Sequence, residues 1–229
     1  MKNKINQQSI AIIIYVRLNS KRLPEKAFLK INSKSILEIL IDRIKNFSKY
    51  NLSIIVATSR EKTDDKLLDF CKKKKIKIFR GSLNDIHKRT TDCIKYNNLD
   101  GFIRVCADRP FFDVLLMDKM IKKFLESNYD IITNQFIKTY PKGLACEIAK
   151  SEIFLKKKSK KLSSSEKEHI FNYYYKNHKN YKIFNFKLKK NKNFKFKDYS
   201  INTRKDFEKI KKIYKTYKNK KYIDILKTL

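Results

Sequence analysis

The sequence predicts an α/β fold, a mostly parallel central sheet covered by helices on both faces to give three layers. Two observations carry this expectation. Apolar runs rich in β-branched residues recur along the chain: Ile10–Val16 is unbroken, and Leu52–Thr58 and Phe102–Cys106 are interrupted at Ser53 and Arg104. Such runs read as strands buried on both faces of a sheet. Between them lie helix-patterned stretches of about ten to fifteen residues, which return the chain over the sheet in right-handed βαβ units.

Taken in order, the first strand runs from Ile10 to Val16 and gives way to a loop carrying Arg17, Ser20, Lys21, Arg22 and Lys26, with Pro24 stiffening it. A buried strand that ends in a cationic loop is the ordinary anion-receiving edge of an α/β protein. No glycine-rich phosphate fingerprint accompanies it, and the same charges also suit a solvated loop of a lysine-rich chain. Ser35 and Glu38 have capping-box spacing ahead of Ile36, Leu37, Leu40, Ile41 and Ile44 at helical intervals. The second strand is Leu52–Thr58, followed by a helix over 61–75 with Leu67, Leu68 and Cys71 facing inward. Ile76–Phe79 is a short third strand, closed by Arg80-Gly81-Ser82. A helix over about 84–96 leads to the fourth strand, and a helix over 114–127 to a strand at Asp130–Asn134.

Beyond about residue 135 the rhythm changes. Tyr140–Gly143 is a turn, 144–149 a strand, and Ser165 with Glu168 caps a helix containing His169, Phe171 and Tyr173–Tyr175. Strand-like stretches at 181–188 and 196–201 precede a last helix with Thr203 as its N-cap and Asp206 in its first turn. No linker or repeat interrupts the chain, so 1–229 reads as one domain.

The net charge of +33 invites a nucleic-acid partner, but only nine of the 56 basic residues are arginine. Excess lysine beside abundant Asn, Ile, Phe and Tyr has the look of AT-rich coding, whereas nucleic-acid surfaces lean on arginine. No nucleic-acid partner is therefore expected. Hydrophobic content of 41% supports a globular chain. Cys71, Cys93, Cys106 and Cys146 form no CxxC pair and read as reduced thiols. No apolar segment nears the ~20 residues of a membrane span, so no membrane partner and a cytoplasmic location are expected. The chain has three glycines and three prolines. All but Gly101 fall in charged turns, which marks those turns as structurally required.

Val105-Cys106-Ala107-Asp108-Arg109-Pro110 ends the fourth strand. A carboxylate there faces the same sheet edge as the Arg17–Lys26 loop. One carboxylate with phosphate oxygens and water suits Mg²⁺; alternatively Asp108 caps the next turn or pairs with Arg109. At this point IIIYVRLNSKRLPEK resembles the N-terminal signature of the sugar-acid cytidylyltransferases of the CMP-sugar synthetase type. The closest branch is that of spore-coat polysaccharide biosynthesis. Further motifs follow in the family's order: Val56-Ala57-Thr58, Phe79-Arg80-Gly81-Ser82, Asp85-Ile86 with Arg89, and Ala107–Pro110. Tyr140–Leu144, Glu166-Lys167-Glu168-His169 and Ser200-Ile201-Asn202-Thr203 complete the set, so the resemblance spans roughly 9–215.

That resemblance implies a nucleotide-diphosphosugar-transferase-like, Rossmann-like sandwich that transfers CMP from CTP to an acidic sugar, with Mg²⁺, and releases pyrophosphate. It gives Arg17, Arg22 and Lys26 the triphosphate and catalytic role. Ser20 or its backbone N–H, with Lys21, Arg80, Gly81, Ser82 and Arg89, would bind the nucleotide. Glu147, Glu168 and His169 would meet the sugar, and Asp108 and Asn202 the metal. A homodimer is implied, with an acceptor and dimerisation segment at about 136–190. The chain departs from the family pattern where Asn202 replaces a metal-binding aspartate, removing one unit of charge, and where Ala145 replaces an acid after Gly-Leu. Asn19, Tyr15 and Val16 also differ from the signature. A weakened member that binds nucleotide or a partner is the second reading, and a basic nucleic-acid-binding protein the third.

Overall fold

The structure, a computed structural model, describes residues 9–188 and 198–217. The first half comprises β1 (Ile10–Tyr15), β2 (Lys30–Ile31), β3 (Lys34–Ser35), α1 (Ile36–Phe47), β4 (Ser53–Ser59), α2 (Asp65–Lys74) and β5 (Lys77–Gly81). There follow α3 (Ile86–Tyr96), β6 (Gly101–Cys106), α4 (Val114–Leu125), β7 (Ile131–Thr133) and β8 (Glu147–Lys150). The remainder is α5 (Ser151–Lys156), α6 (Ser164–Glu168), α7 (Asn172–Lys176), β9 (Ile183–Asn185) and α8 (Arg204–Tyr217).

Seven strands form one sheet in the order β5-β4-β1-β6-β8-β7-β9, and β2 and β3 pair separately. β1 sits inside the sheet, parallel to both β4 and β6, and all six of its residues are buried. Its alternate side chains divide between two cores. Ile12 and Ile14 meet α1, α2 and α4 through Leu37, Leu40, Leu67 and Met117. Ala11, Ile13 and Tyr15 meet α3, α5 and α7 through Cys93, Ile94, Phe154 and Tyr174. Strand alternation thus makes one sheet serve two helical layers, as the apolar runs predict. A third cluster seats α8, through Phe207 and Ile210, against Ile36, Ile39, Phe111 and Ile201.

The sheet is parallel except at β8, which runs antiparallel to β6 and β7. The connection from β7 to β8 passes through the Tyr140–Gly143 turn with no α-helix, so the strand returns in the opposite direction. Gly143 has φ +87°, and a Cβ there would lie 2.6 Å from the Tyr199 carbonyl carbon. Its missing side chain lets the turn lie against the backbone of the Tyr199–Ser200 segment.

Several local expectations shift. The helix over 61–75 begins as a 3₁₀ turn at Lys62–Asp64, and Leu68 faces solvent at 36% exposure rather than inward. The third strand extends past Phe79 to Gly81. In the serine run, Ser163 and Glu166 make both halves of the capping box, not Ser165 and Glu168. The helix stops at His169, and the three tyrosines start anew in α7. The strand at 144–149 begins at Glu147, and that at 181–188 contracts to β9. Of the stretch at 196–201, residues 196 and 197 lie outside the described residues, and Asp198 makes an isolated parallel bridge to Lys142. Thr203 and Asp206 cap α8 reciprocally: the Thr203 N–H donates to Asp206 Oδ2 at 2.9 Å and the Asp206 N–H to Thr203 Oγ1 at 3.2 Å.

Candidate active site

At the carboxyl ends of β1 and β6 lies a cleft of about 490 Å³. Arg17, Ser20, Lys21, Arg22 and Lys26 line one side, with Asp108, Glu168 and His169 also on its wall. Arg89, Arg104, Tyr15 and Cys106 complete the part that runs down toward the sheet.

The cationic loop owes its shape to a carboxylate that sequence reasoning placed only within a helix. Asp64, 1% exposed, accepts from the Leu18 N–H at 2.7 Å, the Thr58 hydroxyl at 2.7 Å and the Ser59 hydroxyl at 2.5 Å. Burial alone would raise its pKa, but these bonds and one from the Ser59 N–H outweigh burial and hold it below the usual aspartate value. Leu18 then anchors the loop by accepting from the N–H groups of Ser20 at 2.9 Å and Glu25 at 2.8 Å. Glu25 takes left-handed backbone, φ 50°, immediately before Lys26, and its side chain pairs with Lys66. The Ser20 N–H, expected as a phosphate donor, is therefore engaged within the loop; its hydroxyl is left for that role.

The loop closes on the carboxyl-terminal segment. Lys26 Nζ donates to Asp108 Oδ2 at 2.6 Å and to the Ile201 carbonyl at 3.0 Å. Arg22 Nη2 donates to Asn202 Oδ1 at 2.9 Å. Asn202 is itself oriented, its amide donating to Ser200 Oγ at 2.8 Å and its backbone N–H to Asp206 Oδ2 at 3.1 Å. The Ile201 N–H donates to the Asp108 carbonyl at 3.0 Å, which ties the segment to the end of β6. Arg17 stands opposite Glu168, at 3.9 Å, both well exposed. His169 is exposed at the same rim. Asp108 thus pairs with Lys26, while Arg109 donates to the Ala145 carbonyl at 2.5 Å.

Other expected residues stand differently. Arg80 is not on the cleft wall: its guanidinium donates to Ser59 O, Asp65 Oδ1 and Glu61 O, bracing the loop after β4. The Ser82 hydroxyl accepts from the Asp85 N–H at 3.1 Å. Gly81 acts through its neighbour, since a Cβ there would lie 2.7 Å from Arg89 Cγ. Arg89 is 2% exposed, with Nε and Nη1 lacking partners, and burial lowers its pKa. Glu147 is buried beneath Arg104 and meets the cleft only through it, by an ion pair of 2.5 Å. Arg104, Tyr15 and Cys106 were missed as site residues; the alternation of β1 and β6, which sends all three to one face, was the signal available.

The oxygen donors around Lys26 suit a hard cation. Asp108, the Ile201 carbonyl and the Asn202 amide oxygen supply one charge and two neutral oxygens. Among the described residues no group of three His, Cys, Asp or Glu side chains could hold a metal. Such a set fits Mg²⁺ carried mainly by ligand phosphates and water, with Asp108 as the protein carboxylate.

Comparison with known proteins bears on the family. A family model described as cytidylyltransferase matches residues 11–226. An uncharacterized protein of Methanocaldococcus jannaschii is 32% identical over 165 residues, covering 72% of this chain and 66% of that protein. The spore coat polysaccharide biosynthesis protein SpsF of Bacillus subtilis is 30% identical over 173 residues, covering 74% of this chain and 70% of its own. The structure of a cytidylyltransferase from Leptospira borgpetersenii superposes with a TM-score of 0.89 at 30% identity, covering 97% of this chain and 94% of that one. A CMP:2-keto-3-deoxy-manno-octonic acid synthetase complexed with CTP shares the fold, with a TM-score of 0.68 at 13% identity, covering 91% and 99%.

Proposed function

Because the chain belongs to the cytidylyltransferase family, we propose that it transfers CMP from CTP to an acidic sugar, with release of pyrophosphate, for surface polysaccharide synthesis. The observation that supports this most directly is the meeting of Arg22 and Lys26 with Asn202, Ile201 and Asp108 at the mouth of one cleft. Arg17, Arg22 and Lys26 receive the triphosphate, with Lys21 and the Ser20 hydroxyl beside them. Arg89 offers its buried guanidinium to the nucleotide, behind the turn Arg80-Gly81-Ser82. Asp108 and Asn202 hold Mg²⁺, whose charge neutralises triphosphate oxygens. A hydroxyl of the sugar, bound near Glu168 and His169, attacks the α-phosphorus of CTP. The new O–P bond forms as the bond to the β-phosphate oxygen breaks, the hydroxyl proton passes to solvent, and pyrophosphate leaves toward the cationic loop. Catalysis of this kind is chiefly positioning and charge neutralisation. A homodimer through about 136–190 belongs to the same reading, and sedimentation equilibrium checks it.

The test is pyrophosphate release from each of the four NTPs with Mg²⁺ and a panel of sugar acids. Turnover with CTP alone is expected. Arg22→Ala is expected to lower kcat/KM by about 10²-fold or more, in line with loss of a charge-assisted phosphate contact. Asn202→Asp, run beside wild type, is expected to lower the Mg²⁺ concentration needed for half-maximal rate. Full activity of Arg22→Ala would refute the assignment.

A further inference from the structure

Among the cations of the cleft, Arg104 comes from a strand rather than from the Arg17–Lys26 loop. It projects from β6 onto the cleft wall, on the face shared with Tyr15 and Cys106. Its position is fixed by a relay. In the antiparallel register of β6 and β8, Arg104 stands opposite Glu147, and Nη1 donates to Glu147 Oε2 at 2.5 Å. The other Glu147 oxygen accepts from the Tyr175 hydroxyl at 2.7 Å, and that hydroxyl shares a 2.8 Å bond with Thr133 Oγ1. The ring of Tyr15 supports the guanidinium at 6.0 Å.

Two features of this relay bear on ligand recognition. Glu147 is 4% exposed, and both of its oxygens are engaged, so it cannot itself receive a sugar hydroxyl. Arg104 Nε, by contrast, is buried with no partner. An unpaired buried donor is unfavourable until an acceptor arrives, and the Nε–Nη2 edge of a guanidinium matches a carboxylate with two parallel hydrogen bonds. The surroundings also favour an anion: Arg17, Lys21, Arg22, Lys26, Arg89 and Arg104 line the cleft against Asp108 and Glu168.

We infer that Arg104 is the specificity residue for the acceptor, its Nε–Nη2 edge receiving the carboxylate of the acidic sugar. Glu147 and Tyr175 are positioning residues that fix that edge. The inference rests on the acidic-acceptor reading above and names the group within the site that enforces it. No covalent step involves Arg104.

The experiment compares wild type with Arg104→Gln, Arg104→Lys and Glu147→Gln. CTP binding is measured by calorimetry. Binding and turnover are then measured for a panel of 2-keto sugar acids, 2-keto-3-deoxy-manno-octonate among them, and for their methyl esters. In Arg104→Gln the CTP affinity is expected to hold while affinity for the acid falls about 10²-fold, removing the preference for acid over ester. Arg104→Lys is expected to recover part of that preference, which a purely structural role would not predict. Glu147→Gln is expected to weaken the preference with the fold intact, as followed by thermal melting. An unchanged acid-over-ester preference in Arg104→Gln overturns the inference, as does a loss of CTP affinity in that variant, which would make Arg104 a nucleotide contact. Failure of CTP-loaded wild type to bind any acid of the panel overturns it too. Failure of wild type to bind CTP refutes the transferase reading itself.

Discussion

Asp64 shows how a single side chain sets the geometry of a site it does not enter. It gathers hydrogen bonds from Leu18, Thr58 and Ser59 and so pins the first turn of the cationic loop. The D64N substitution keeps the volume but replaces one acceptor oxygen by a donor facing other donors. It is expected to cost about 1–3 kcal/mol and to raise the KM for CTP, since the loop loses its anchor. The pH dependence follows from the sign of the shift. The folded pKa lies below the unfolded one, so this stabilisation is present above the unfolded value of about 3.9 and is lost as pH falls through the folded value. Acid melts of D64N should lack that part of the slope, and wild-type and variant melts between neutral pH and the acid limb test it. Asp64 was invisible as an anchor in the sequence because its partner Leu18 lies 46 residues away and no local pattern encodes the contact. Arg22, Lys26 and Asp108 were legible because cations and a carboxylate at strand ends have a recognisable place in an α/β fold.

At the level of elements, the central strands were readable because burial on both faces leaves continuous apolar runs. β8 was less so: its four residues, Glu147-Ile148-Ala149-Lys150, carry a carboxylate whose compensation, Arg104, comes from the neighbouring strand. The cap of α6 (Ser164–Glu168) was misplaced by two residues because three successive serines, Ser163–Ser165, each offer a capping hydroxyl. Only the chain's approach decides among them. Gly143, in contrast, announced a required turn in a chain with three glycines. Gly143→Ala is expected to cost more than about 2 kcal/mol, from positive φ together with a 2.6 Å approach to backbone. It should also lower activity, because the displaced backbone leads into Asn202. Gly101→Ala, whose nearest contact is the Phe124 ring at 3.1 Å, is expected to be milder. Denaturant titration of the two variants, with CTP turnover on each, makes the comparison.

Over the whole molecule, the charge of +33 acts on stability as much as on binding. Like charges spread over the surface repel one another in the compact state, and salt screens that repulsion. Raising NaCl from about 0.05 to 0.5 M is therefore expected to raise the melting temperature, by about 2–4 °C for each kcal/mol of repulsion relieved. A melting temperature that falls with salt would mean that the ion pairs, such as Lys26–Asp108 and Arg104–Glu147, outweigh the repulsion. The predominance of lysine over arginine that argued against a nucleic-acid surface is not repeated in the cleft, where Arg17, Arg22, Arg89 and Arg104 stand beside two lysines, Lys21 and Lys26.

The contacts Arg22–Asn202 and Lys26–Ile201 join residues 180 and 175 apart. During synthesis on the ribosome, the amino-terminal loop therefore emerges long before the segment that completes it. A nascent chain can build β1 to β6 and still lack the far wall of its triphosphate grip, so competence for CTP arrives late, with the emergence of Ser200–Thr203. Ribosome-bound chains halted before and after that segment would differ in nucleotide binding although most of the sheet is present in both.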